Sequence, residues 1–119
     1  VGVTFVNVVI KKSPHARREE TVECLVDSGA HYSAIPRMIL TKLGIRPTGK
    51  RSFILADGSK IERDTAAAHF EFQGRTAPST VICGEEGDAT LLGVVTLEEL
   101  GLMLDPLKRE LRQLPALLI

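Results

Sequence analysis

The sequence predicts an all-β domain with one or two short helices, spanning residues 1–119 as a single domain. Three observations predict it. Extended runs rich in β-branched residues recur along the chain, and turn phrases such as Asp57-Gly58 and Gln73-Gly74 separate them. Only the stretches after Ile35 and after Thr96 read as helical, and both are short. A length of 119 residues suits one compact domain, and 44% hydrophobic with 25% charged residues is ordinary for a soluble globular protein.

Val1 to Ile10 reads as an extended segment, broken at Asn7 and followed by the turn Lys12-Ser13-Pro14-His15. Glu19 to Val26 is a second strand, with Val22, Cys24 and Val26 on one face and Glu23 and Leu25 on the other. Pro36 is tolerated in a first helical turn, where its missing N–H has no helical partner. Ile35, Ile39, Leu40 and Leu43 form the apolar stripe of that helix, and Gly44 can take a left-handed stop. Arg51 to Leu55 and Lys60 to Ala68 flank Ala56-Asp57-Gly58-Ser59, a hairpin signal because glycine accepts positive φ.

His69 to Phe72 and Thr76 to Cys83 form another hairpin across Gln73-Gly74, and Pro78 places an edge or bulge in its second arm. Gly84 to Asp88 is a polar loop and Ala89 to Leu92 a short strand. Thr96 with Glu99 has capping-box spacing for a helix ending at Gly101. The apolar end, Leu114 to Ile119, is expected to pack under the domain or join a partner; Pro115 argues against a regular central strand there. The order strand, tight turn, helix, glycine from Leu25 to Ile45 is echoed from Leu91 to Leu102.

Fifteen basic and fifteen acidic residues cancel, so no global field draws nucleic acid or anionic lipid. Lys11-Lys12 with Arg17-Arg18 lacks the interleaved aromatics of a nucleic-acid platform and reads as solvated surface. No apolar stretch approaches the roughly 20 residues that span a bilayer, and no signal-peptide pattern is present. A cytoplasmic location without membrane contact is the expectation, and the start at Val1 leaves room for upstream sequence. Cys24 and Cys83, in strand-like apolar settings, read as buried free thiols. His15, His31 and His69 lack metal-ligand spacing, and Gly84 to Gly87 has no following Lys-Ser/Thr pair to hold phosphate.

The chemistry concentrates at Asp27-Ser28-Gly29-Ala30, which follows the apolar approach Cys24-Leu25-Val26. Three such letters are also a common turn phrase, since Asp and Ser bond locally to the backbone and Gly bends freely. Nothing later repeats the tetrad. Chemistry needing two such carboxylates must take the second from another copy of the chain. Facing carboxylates would share one proton, so that one activates a water while the other donates a hydrogen bond.

Val26-Asp27-Ser28-Gly29-Ala30, Ile35-Pro36, Leu43-Gly44, Ala56-Asp57-Gly58, Leu91-Leu92-Gly93 and Leu97-Glu98-Glu99-Leu100-Gly101-Leu102 follow one another along the chain. Together they resemble the retropepsin-like (clan AA) aspartic proteases, in particular their small single-domain prokaryotic type. The resemblance covers Glu19 to Arg109. It implies an acid-protease lobe closed into a barrel, a homodimer, and hydrolysis of extended polypeptides by a water held between two aspartates, with neither cofactor nor metal.

Asp27 would then be the catalytic residue, with Ser28, Gly29 and Ala30 supporting its turn. Serine stands where the motif often has threonine, and keeps the hydroxyl. Ala56, Asp57 and Gly58 match the flap tip that approaches the substrate backbone, and Leu91, Leu92 and Gly93 match the structural loop beside the active turn. Val94 and Val95 depart from the polar residues that follow this glycine in retroviral relatives. The alternative is a noncatalytic dimerisation or peptide-binding module of the same fold.

Overall fold

The structure, a computed structural model, describes residues 3–114. Strand β1 (Phe5–Lys11) pairs antiparallel with β2 (Glu19–Val26) over its whole length, from Phe5 opposite Leu25 to Lys11 opposite Glu19. Asn7 lies inside this ladder opposite Glu23, so the expected break does not occur. Val22, Cys24 and Val26 face inward and join Val8 and Ile10 in the core, as their alternation requires.

β3 (Ser33–Pro36) runs directly into helix α1 (Arg37–Lys42). Pro36 occupies the N-cap with extended backbone, one position before the first helical residue. Leu40 and Leu43 are buried, and Gly44 ends the segment at φ +76°. β4 (Gly49–Ile54) and β5 (Lys60–Phe72) form the hairpin around Asp57-Gly58. β5 is one long strand where two were expected. Its first half pairs with β4 and its second with β6 (Arg75–Gly84), leaving no break at Ala68. Gln73 and Gly74, both at positive φ, make the turn into β6. On the side of β6 away from β5, pairing with β3 starts only at Val81, so Pro78 interrupts no ladder there.

β7 (Leu91–Leu92), α2 (Val94–Glu99) and the ribbon β8 (Leu102–Asp105) with β9 (Glu110–Gln113) complete the described chain. The internal echo has a counterpart in space. β2 and β7 lie parallel and adjacent, α1 and α2 have six residues each, and Gly44 and Gly101 end their segments at φ +76° and +73°. Neither helix is long and apolar enough to cross a membrane. The reading of the end of the chain, Leu114 to Ile119, falls outside the described part except at Leu114, whose amide donates to the Gly101 carbonyl at 2.7 Å.

The expectation of a closed barrel is corrected. The strands form one mixed sheet in the order β1-β2-β7-β3-β6-β5-β4, with β8-β9 as a separate ribbon. β1 also meets β5 through Val9, Ile10 and Lys11, which curls the sheet around the core. The resulting ring is not a barrel, because β7 supplies only two residues and meets β3 at a single pair, Ala34 opposite Leu91. β4 extends beyond the ring as an outer strand. Barrel closure needs ladders continuous around the circumference, and a two-residue strand cannot supply one.

Candidate active site

Asp27 follows the last residue of β2, at the point where β7 is inserted between β2 and β3. Its amide donates to the carbonyl of Leu92 at 3.0 Å, and its own carbonyl accepts from the Ala30 amide at 3.1 Å. The Gly29 amide donates to Asp27 Oδ1 at 2.9 Å. A Cβ on Gly29 would lie 3.2 Å from that oxygen, tighter than ordinary contact, so glycine suits an amide that closes directly on a carboxylate. Asp27 is half-buried, and Ser28 and Gly29 are exposed. The strand thus fixes the backbone of the acid while leaving the residue partly exposed.

The far side of the turn is held by α2. The amides of Val94 and Val95, at the start of the helix where no intrahelical acceptor exists, donate to the carbonyls of Ala30 and His31 at 2.9 and 3.0 Å. The N-cap is Gly93 with no side-chain cap, which corrects the capping role expected of Thr96. The helix begins two residues before Thr96. Thr96 is instead fully buried, with its hydroxyl 2.6 Å from Ser33 Oγ and 2.9 Å from Ser79 Oγ. Ser33 Oγ also accepts from the Gly93 amide at 3.0 Å. A Cβ on Gly93 would lie 2.6 Å from both the carbonyl carbon and oxygen of Tyr32. Leu91, Leu92 and Gly93 are therefore tied to the Asp27 turn by close backbone approach.

Ala56, Asp57 and Gly58 are exposed at the tip of the β4-β5 hairpin. The tip is well formed: the Leu55 amide donates to the Ser59 carbonyl at 2.8 Å, and Gly58 has φ +85°. Asp57 Oδ1 accepts from the Ser59 hydroxyl and from its amide, which lowers the Asp57 pKa below its ordinary value. Between the hairpin and the Asp27 turn lies a cleft of about 450 Å³. Gly29, Ala30 and Tyr32 line it from the turn and the bend that follows, Phe53, Leu55 and Ile61 from the hairpin, and Ile82 and Leu91 from the sheet. Asp27 and residues 56–58 are not among its lining.

A family model described as "gag-polyprotein putative aspartyl protease" matches residues 18–99, well over half of the chain. The chain belongs to the retropepsin-like aspartic protease family. Sixteen chains among solved structures match it. One is the solution structure of simian foamy virus (mac) protease, 20% identical, with a TM-score of 0.48, covering 74% of this chain and 87% of that one. A comparison with curated proteins gives no match.

Within this family member, the site contains residues that sequence reasoning passed over. Tyr32 packs edge-on against Phe53, with ring centroids 6.3 Å apart, and receives a hydrogen bond from Arg51. The alternation Arg51, Phe53, Leu55 along one hairpin arm was the available signal for a shared face. At another wall of the cleft, Arg63 grips Asp88 through two hydrogen bonds of 2.8 and 3.0 Å, and its guanidinium pulls the Asp88 carboxyl below its ordinary pKa. Arg37 joins Asp64 to Glu85 nearby at 2.7 and 2.8 Å, bracing the hairpin base against the loop before β7.

Among the described residues, no group of three or more His, Cys, Asp or Glu side chains is arranged to hold a metal. Cys24 and Cys83 are free and buried; burial pushes the Cys24 thiol pKa up to about 12 and raises that of Cys83.

Proposed function

We propose that the chain is one half of an aspartic endopeptidase, completed when two copies bring their Asp27 side chains together around one water. The observation that carries this reading is the Asp27 turn itself. Its carboxylate is aligned by the Gly29 amide, and its backbone is anchored to β7 on one side and α2 on the other. Such anchoring suits a group that must act without reorganising. The family assignment and the cleft beneath the hairpin support the same reading.

With one proton shared by the pair, the ionised carboxylate takes a proton from water while the other donates its proton to the peptide carbonyl oxygen. The water oxygen bonds to the carbonyl carbon, giving a tetrahedral diol. Proton transfer to the nitrogen and loss of a diol proton then break the C–N bond and regenerate the shared-proton dyad. Ser28, exposed beside Asp27, braces the turn or its mate. The hairpin tip at Ala56, Asp57 and Gly58 closes over an extended peptide and bonds to its backbone. No cofactor is required.

The test is cleavage of a diverse peptide library by the native chain and by Asp27→Asn across acidic to neutral pH. The expected result is a loss of about 10³-fold or more in the variant. Activity should also fall on dilution through the dimerisation range. Full activity from a demonstrated monomer would refute the shared site. Equal peptide binding by both proteins with cleavage by neither would favour the noncatalytic module.

A further inference from the structure

The cleft has a positive charge at its edge that no ion pair among the described residues neutralises. Arg51 and Arg63 stand directly opposite each other on β4 and β5. Their situations differ. Arg63 is engaged by both oxygens of Asp88. Arg51 is exposed, and no ion pair among the described residues includes it. Its partner is instead the neutral Tyr32: Nη1 donates to the phenol oxygen, and the guanidinium carbon lies 5.1 Å from the ring centroid. Tyr32 is held in turn between His31, with ring centroids 4.9 Å apart, and Phe53. The charge is thereby positioned by an aromatic wall of the cleft, and the guanidinium retains donors directed away from Tyr32.

We propose that Arg51 is a specificity-determining residue that selects peptides carrying an acidic side chain two positions from the apolar side chain that fills the cleft, on the same face of the extended backbone. The inference rests on the proposed peptide-hydrolysing site and names the substrate class it prefers. The apolar residue would bury against Phe53, Leu55, Ile61, Ile82 and Leu91. The acidic side chain two positions away would then reach the edge, where the guanidinium donates a fork of two N–H bonds to its carboxylate. An uncharged amide of the same shape fills the same space but forfeits the charge.

The test pairs two peptide pools, identical except that the residue two positions from an apolar anchor is Glu in one and Gln in the other. Binding is measured on Asp27→Asn and cleavage on the native chain, each with and without Arg51→Gln. The expected preference for Glu over Gln is about fivefold at low salt, declining as salt screens the pair. Arg51→Gln should bring the ratio to about one, and Arg51→Lys should keep part of it; a purely structural role for Arg51 would not change this ratio. A Glu-to-Gln ratio near one in the native chain, or one unchanged in Arg51→Gln, overturns the proposal. Cleavage without the preference defeats this inference alone, whereas binding with the preference but no cleavage defeats only the catalytic reading. Failure of every peptide to bind or be cleaved defeats both.

Discussion

Gly93→Ala isolates the contact that holds the active turn in place. Gly93 has φ −96°, which any residue adopts, so the substitution carries no backbone strain of its own. The cost is steric. The new methyl would sit 2.6 Å from the Tyr32 carbonyl carbon and oxygen and 2.9 Å from the His31 carbonyl oxygen, all of them backbone atoms that cannot rotate aside. Overpacking of this kind costs about 1–3 kcal/mol. Moving this backbone also stretches the Val94-to-Ala30 and Val95-to-His31 hydrogen bonds, worth roughly 1 kcal/mol each.

Together these give roughly 3–5 kcal/mol, or a melting temperature lower by about 10–20 °C for a chain of this size. Gly58→Ala is the control. Its Cβ would meet nothing within 4 Å, but its φ of +85° imposes a left-handed penalty of about 1–2 kcal/mol. Urea and thermal unfolding of both variants check the difference. If Gly93→Ala proves no less stable than Gly58→Ala, the close approach between β7 and the turn does not exist as described.

Thr96→Val should cost about 1–3 kcal/mol in urea unfolding, because Ser33 and Ser79 lose their shared buried partner. An unchanged midpoint would count against the hydroxyl cluster. The pKa of Asp88 is lowered chiefly by Arg63, and that of Asp105 by the amides of Lys108 and Leu107. Their stabilising effect is complete above the unfolded carboxylate value of about 3.9 and is lost as pH falls through the lower folded values. Unfolding measured from pH 6 to 2 should therefore show acid destabilisation, and Asp88→Asn with Asp105→Asn should flatten the profile. Finally, Cys24 and Cys83 should resist a thiol-specific reagent until denaturant is added; rapid labelling of the native chain would contradict their burial.

The legible parts of the chain are those whose signals are local. The strand Glu19–Val26 shows in its alternation, and the Asp57-Gly58 and Gln73-Gly74 turns in residues that accept positive φ. β3 and the β8-β9 ribbon were not anticipated. All three strands have four residues, and β3 is stabilised by ladders to β6 and β7, dozens of positions away in sequence. Thr96 does not cap its helix for a related reason. The motif was local, but the helix amides found their acceptors on the carbonyls of Ala30 and His31. Arg51 and Tyr32 lie 19 positions apart, and their pairing depends on how the hairpin folds back over the turn.

The sequence by itself determined that an aspartate would stand in a tight turn after an apolar strand, because Ser28 and Gly29 favour that turn from within a few bonds. It also determined the order of the hairpins and the marks of the family. Only the tertiary structure decided that β7 would pass between β2 and β3, that the sheet would curl without closing into a barrel, and that Arg51 would rest on Tyr32 beside the cleft. Turn geometry is settled by neighbours along the chain. Those arrangements are settled by hydrogen bonds and packing between residues that meet only when the whole core has formed.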